Sequence, residues 1–320
     1  SSDVCSSDLE RVDKRLGVGR QDGAEIESEP IDMHLGHPIA KAVHDQLQDI
    51  GVAHVQGVAG ARVVHVEAAV VVGDGEAGGV VPGRGRGRAG PDEHVPTEHL
   101  EVLVAEGVNV QPPPQALIFA QDKLLMRRKL AELGAPVPAY AEVTWAEDVV
   151  RFGSEHGWPL VIKATRGGYD GRGVWITDDQ DEAEAIVTEQ LNKGVPLIVE
   201  EMVSMRRELS AMVARSPFGQ GATWPVVETV QRNGQCAVVI APAPELSSAV
   251  AEEAEQLALR IASELGVVGS MAVELFETTD GTLVVNELAM RPHNSGHWTM
   301  DGARTSQFEQ HLRAVLDYPL

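Results

Sequence analysis

The stretch from Ser270 to Trp298, SMAVELFETTDGTLVVNELAMRPHNSGHW, decides how this chain is read. Two β-rich runs, Met271 to Phe276 and Thr282 to Leu288, flank Thr279-Asp280-Gly281. Asp-Gly between alternating apolar residues signals an antiparallel hairpin. With Asp280 and Gly281 at the centre of the turn, facing residues have numbers that add to 561, which sets Glu274 opposite Glu287. Carboxylates directly opposite on one sheet face lie roughly 5 Å apart and repel each other. A divalent cation between them removes that cost. Hard oxygen ligands on a rigid hairpin suit Mg²⁺, with Mn²⁺ as an alternative, the remaining positions being filled by water and phosphate. A solvated sheet face carrying two tolerated glutamates is the competing reading.

The whole chain of 320 residues has a net charge of -22, which argues against a nucleic-acid surface; a phosphate ligand would need local basic residues and a metal. Two cysteines, Cys5 and Cys236, supply neither a disulfide framework nor a zinc cluster, which fits a reducing compartment. No apolar run reaches the roughly 18 residues of a spanning helix. The polar start SSDVCSSDLERVDK lacks a signal-peptide core. These features predict a cytoplasmic protein with no membrane partner.

Residues 1–91 differ in texture from the rest. The opening SSDVCSSD nearly repeats itself, and residues 51–90 are rich in Gly, Val, Ala and His and end in Gly-Arg repeats at 83–88, read as a flexible linker. Ala40 to Leu47 could be helix and Ala61 to Val72 strand. The change near Pro91 suggests that this segment is not the natural partner of the residues after it. From Asp92 the chain becomes locally consistent. Helices are predicted at Thr97 to Glu106, Gln115 to Leu133, Asp181 to Lys193 and Ser248 to Leu265. Strands are predicted at Pro159 to Lys163, Val174 to Thr177, Leu197 to Glu201, Glu208 to Ala214, Pro225 to Val230 and Cys236 to Ile240. A last helix, with a capping box from Ser306 to Glu309, would bury Phe308, Leu312, Val315 and Leu316.

Three further segments carry chemistry. Gly167 to Gly173 lies between two strands, so it is a hairpin loop, unlike a Walker A or Rossmann turn, each of which opens a helix. Its glycines would let backbone N–H groups approach a polyphosphate. Lys163, at the end of an otherwise apolar strand, can meet the same phosphates or snorkel at a sheet edge. Glu200-Glu201-Met202-Val203 ends a strand whose free backbone groups can read a purine edge while Glu208 accepts from ribose hydroxyls; a solvated charge cluster is the alternative. The polar loop Arg291 to Trp298 follows the hairpin. Pro292 and Gly296 argue against a helix that would align His293 and His297 on a metal. A hydrogen-bonding substrate loop, with Arg291 for a phosphate, is preferred.

In this order Lys163, GGYDGRG, VEEMV, Glu274, Asn286-Glu287 and RPHNSGHW resemble an ATP-grasp ligase. More closely, they resemble the N5-carboxyaminoimidazole ribonucleotide synthetase family of purine biosynthesis. Formate-dependent glycinamide ribonucleotide transformylase is the nearest alternative, and Asn294 to Thr299 favours the synthetase. The resemblance covers Asp92 to Leu320. It implies an α+β ATP-grasp fold in which two α+β layers sandwich ATP. Lys123, Lys163, Gly168, Tyr169, Asp170, Gly171, Arg172, Gly173 and Val174 would contact the phosphates and their surroundings. Glu200, Glu201, Met202, Val203 and Glu208 would surround adenosine, with Gln231 where the family carries a histidine. Asn286 and Glu287 would complete that site, and Glu274 and Glu287 would hold Mg²⁺.

Glu93, Tyr169, Arg172, Arg291, His293, Asn294 and Ser295 would face aminoimidazole ribonucleotide, with Arg291, Asp170 and Arg172 as catalytic residues. The implied reaction is ATP-driven carboxylation. Bicarbonate attacks the γ-phosphoryl group, carboxyphosphate forms, and the substrate's exocyclic amine captures the carboxyl group. Such chemistry needs positioning and charge neutralisation more than a protein nucleophile. Residues 1–91 do not match the family's N-terminal α/β domain, and the family's C-terminal basic segment is missing beyond Leu320. The intact protein would be a homodimer. A remnant that holds Mg-ATP without turnover is the reading from another class.

Overall fold

In the computed structural model the hairpin forms, but its register has a different origin from the one expected. Its strands are β13 (Gly269–Thr278) and β14 (Leu283–Ala289). Thr278 N–H donates to the Thr282 carbonyl at 2.9 Å and Gly281 takes φ 85°, so the loop has three residues and ends in a left-handed glycine. Near the turn, Glu277 faces Leu283 and Leu275 faces Val285, so the facing numbers add to 560. A β-bulge at Asn286 then supplies one extra residue, and beyond it Glu274 faces Glu287 as expected. The bulge also breaks the alternation of β14. Asn286 and Glu287 are both partly exposed, whereas single residues alternate with buried ones before them.

The structure describes residues 95–167, 172–232 and 234–320, together with the backbone of β1 (Val55–Val58), β2 (Ala61–Val66) and β3 (Ala69–Asp74). All of these belong to one unit, Val43–Leu320. The run Ala61 to Val72 is thus a hairpin rather than one strand. Its β3 pairs with β4 (Asn109–Gln111), so strand pairing crosses the boundary expected at residue 91. Ala40 to Leu47 and the Gly-Arg repeats lie outside the described residues.

Two further antiparallel sheets, one of six strands and one of four, position the site. The first joins β9 (Met205–Arg215), β10 (Gly221–Thr223), β11 (Val227–Arg232) and β12 (Gln235–Ile240) to the hairpin. Its order is β12-β11-β9-β13-β14, with β10 on β9. The amphipathic helix Ser248–Glu264 buries Leu257, Ala258 and Ile261 against Leu209, Val213 and Val273 of this sheet. The second is built from β5 (Tyr140–Val143), β6 (Leu160–Ala164), β7 (Val174–Thr177) and β8 (Leu197–Glu201), in the order β5-β8-β6-β7. Helices Ala146–His156 and Gln180–Asn192 cover it with a separate core around Phe152, Ile162 and Val187. Burying each such aliphatic or aromatic side chain contributes about 1.5–3 kcal/mol. Each sheet with its helices has its own core, which agrees with the expected two α+β layers.

Two expectations fail for identifiable reasons. The helix expected over Gln115 to Leu133 is two helices, Pro114–Gln121 and Lys123–Glu132, interrupted at Asp122. Asp122 is extended (φ -131°), its carboxylate accepts from Leu125 N–H at 3.0 Å, and Lys123 N–H leaves to bond Thr165 O at 2.8 Å. Asp122 is therefore an N-cap. The last helix spans Gln307–Val315 and leaves Phe308 40 % exposed; Gln307, His311, Ala314 and Val315 form its buried face. Gln307 accepts from His293 N–H at 2.7 Å and donates to His293 O at 2.8 Å, and this polar anchor rotates Phe308 outward onto His297, ring centroids 6.1 Å apart.

Candidate functional site

A cleft of about 690 Å³ opens between the β12-β11-β9-β13-β14 sheet and the β5-β8-β6-β7 sheet. That volume lies within the range of small-molecule sites. Val161, Val174, Ile176, Pro138, Phe276 and Leu288 give it apolar walls, and the strand end Glu200 to Val203 forms an edge. The polar groups separate into two corners of opposite sign.

The cationic corner is built by three elements. Lys163 near the end of β6, Glu200 on β8 and Arg127 on the helix Lys123–Glu132 meet with Arg127 and Glu200 only 1 % and 2 % exposed. Arg127 Nε donates to Glu200 Oε1 at 2.7 Å, and Lys163 Nζ lies 2.7 Å from Glu200 Oε2. Arg127 also donates to the Asn286 carbonyl at 2.7 Å, which ties the bulge to the opposite sheet. Burial alone would raise the Glu200 carboxyl, but Lys163 and Arg127 outweigh it and hold it at about 2. Burial lowers Lys163, and Arg127 adds to that against the opposing pull of Glu200. Two cations share one anion, and Arg127 Nη1 is buried without a partner. This corner has positive charge to offer an anion.

The anionic corner lies on the β9-β13-β14 face. Glu274 and Glu287 are direct cross-strand partners, Glu287 is salt-bridged to Lys123, and Glu274 Oε1 is 3.3 Å from His293 Nε2. Burial would raise Glu274; His293, Lys123 and Asn286 outweigh it and keep the carboxyl below its ordinary value. Burial and the nearby Glu274 raise Glu208, despite a hydrogen bond from Gln231. Burial, Glu274 and Glu208 likewise raise the Cys236 thiol. No group of three or more His, Cys, Asp or Glu gathers as a closed metal cage among the described residues. Two opposed carboxylates with oxygen donors fit a hard divalent ion that completes its shell with water and phosphate.

The cleft brings together Lys123, Lys163, Arg172, Val174, Glu200, Glu201, Met202, Val203, Glu208, Gln231, Glu274, Asn286, Glu287, Arg291, His293 and Asn294, all expected from sequence. Ser295 is elsewhere: it is fully buried and its hydroxyl bonds Ser210 and His293, each at 2.8 Å. Gly173 closes the β6-β7 hairpin, accepting from Ala164 N–H at 2.8 Å. Glu93, Gly168, Tyr169, Asp170 and Gly171 lie outside the described residues. Sequence reasoning missed Arg127 and Ser210. A basic residue four positions after Lys123 on one helix face was the available signal for Arg127; Ser210 gave none.

A family model, the ATP-grasp domain, matches residues 128–308. The chain is 65 % identical over 228 residues to the N5-carboxyaminoimidazole ribonucleotide synthase of Mycobacterium bovis, covering 71 % of this chain and 53 % of that protein. It is 54 % identical over 232 residues to the synthase of Corynebacterium ammoniagenes, covering 71 % and 56 %. Among solved structures, the carboxyaminoimidazole ribonucleotide synthase of Aspergillus clavatus complexed with ATP matches with a TM-score of 0.67 at 33 % identity, over 71 % of this chain and 59 % of that one. The same organism's enzyme in complex with ADP and 5-aminoimidazole ribonucleotide matches with a TM-score of 0.66 at 32 % identity, over the same shares. The chain thus spans about half the length of the curated relatives it matches. On this identity and domain match, the chain belongs to the N5-carboxyaminoimidazole ribonucleotide synthase family of ATP-grasp proteins.

Proposed function

We propose that the cleft binds Mg-ATP and that the chain contributes to ATP-dependent carboxylation of aminoimidazole ribonucleotide with bicarbonate, giving N5-carboxyaminoimidazole ribonucleotide. The observation that carries this reading is the pairing of opposite charges in one cleft, Lys163 beside Glu200 with the buried Arg127 behind them on one side and Glu274, Glu287 and Glu208 on the other. A metal-triphosphate has the complementary pattern. Lys163 and Lys123 orient the phosphates, and the β6-β7 hairpin, closed by the Lys163–Val174 pair, springs from the same corner. The Glu200 to Val203 edge takes the base and Glu208 the ribose. Glu274 and Glu287 would hold the divalent ion, which when bound neutralises the phosphate oxygens. A bicarbonate oxygen attacks the γ-phosphorus, ADP leaves, and the ribonucleotide amine takes the carboxyl group from carboxyphosphate with release of phosphate. Arg291, His293 and Asn294 face that half of the cleft, and fixed charges of this kind lower a phosphoryl-transfer barrier by positioning rather than by a covalent intermediate.

Among the described residues no helix is long and apolar enough to cross a membrane. The proposal includes a cytoplasmic location, as the cysteine usage suggests, and a homodimer in the intact protein, as the family resemblance implies. Coupled ADP release tests it. ADP formation that requires both bicarbonate and aminoimidazole ribonucleotide supports the ligase. Saturable ATP binding with no turnover would instead support a chain that holds Mg-ATP alone, and turnover that needs formate would favour the transformylase.

A further inference from the structure

A chain of hydrogen bonds runs behind the metal carboxylate. Ser210 on β9 is the direct cross-strand neighbour of Glu274 and is fully buried. Its hydroxyl lies 2.8 Å from Ser295 Oγ, which lies 2.8 Å from His293 Nδ1, and His293 Nε2 lies 3.3 Å from Glu274 Oε1. Ser295 N–H also points at His293 Nδ1, at 3.4 Å. A backbone N–H can only donate, so Nδ1 must accept and the ring proton sits on Nε2, aimed at Glu274. Ser295 then donates its hydroxyl proton to Nδ1 and accepts one from Ser210. The backbone that carries the ring is fixed as well, because both main-chain polar groups of His293 are held by the buried Gln307 at 2.7 and 2.8 Å.

We propose that Ser210 is a positioning residue for Glu274, acting through Ser295 and His293 to fix one imidazole tautomer and one carboxylate rotamer at the cation site. The proposal rests on the reading of Glu274 as a metal ligand. Partners of ligating groups commonly contribute tenfold or more to metal affinity, and Ser210 acts two links further back.

The test uses the full chain with ¹⁵N-labelled histidine and Mn²⁺ alone as the probe. Two-bond ¹H–¹⁵N correlations should show His293 protonated at Nε2 and bare at Nδ1. Ser210→Ala should disturb that pattern and weaken Mn²⁺ binding, read by electron paramagnetic resonance, by about three- to tenfold. Ser295→Ala should do both more strongly. A proton on Nδ1 in the wild-type chain overturns the proposal, as does Ser210→Ala with both the His293 resonances and Mn²⁺ affinity unchanged. If the wild-type chain and Glu287→Gln bind Mn²⁺ equally weakly, the metal reading falls and takes the proposal with it. An intact Nε2–H pattern distinguishes that failure from a failure of the hydrogen-bond chain.

Discussion

The two corners of the cleft solve the same problem in opposite ways. Each brings like charges together: Arg127 with Lys163 on one wall, Glu274 with Glu287 on the other. The cationic corner encloses its counter-ion, Glu200, at 2 % exposure, while Glu274 and Glu287 remain 29 % and 36 % exposed. In the first cluster the Arg127–Glu200 ion pair is closed off and Lys163 is the cation that meets the cleft, while in the second both carboxylates stand open to a ligand. The closed cluster should therefore govern stability and the open one affinity.

The largest effect should come from breaking the closed cluster. Arg127→Met leaves Glu200 with Lys163 alone, and removing one partner of a buried ion pair costs about 3–5 kcal/mol. Chemical denaturation should read a loss of that order, and a loss below about 1 kcal/mol would mean that the corner is wetter than its burial indicates. Acid probes the same cluster. The Glu200 carboxyl sits at about 2 in the fold against 4.5 ordinarily, so its contribution is present above 4.5 and is lost as pH falls through that window. At most about 3 kcal/mol should disappear across it. Arg127→Met should flatten that limb; an equally steep one in the variant would assign the acid sensitivity elsewhere.

The open corner should respond in affinity. Glu287→Gln removes one ligand charge, so Mg-ATP should bind at least about tenfold more weakly while folding stability changes little. Isothermal titration with matched denaturation separates the two readouts, and unchanged affinity would count against the site. If stability fell instead, the contrast between the corners would collapse.

What could be read in advance came from spacing along the chain. The facing pair Glu274 and Glu287, the β6-β7 hairpin around its glycines and the strand ending at Glu201 are local patterns of period two with turn residues between them. The hairpin pairing came out right through two compensating departures, a three-residue loop and the Asn286 bulge. Arg127 and Ser210 were not legible because their partners, Glu200 and Ser295, lie 73 and 85 residues away, and no local periodicity encodes such contacts. Phe308 failed for the same reason. Its helix is amphipathic, but which face turns inward was set by Gln307 bonding His293.

The smallest effect should fall at the junction that feeds both corners. Asp122 caps the helix whose next residue, Lys123, reaches Glu287 and which carries Arg127 one turn later. Asp122 Oδ1 accepts from Leu125 N–H at 3.0 Å and Oδ2 from Arg166 Nε at 2.8 Å, but Arg166 is half exposed and its pair adds little. Asp122→Ala should therefore cost about 1 kcal/mol in chemical denaturation, the usual loss for a missing N-cap. Asp122→Ser should recover most of it, since a hydroxyl can cap equally well and the Arg166 pair is the minor part. If alanine costs nothing, the break between the helices is imposed by Lys123 N–H bonding Thr165 O, not by the cap. The aim of Lys123 into the cleft would then belong to the β6 side of the molecule, and the two corners would be coupled through the backbone rather than through one capped helix.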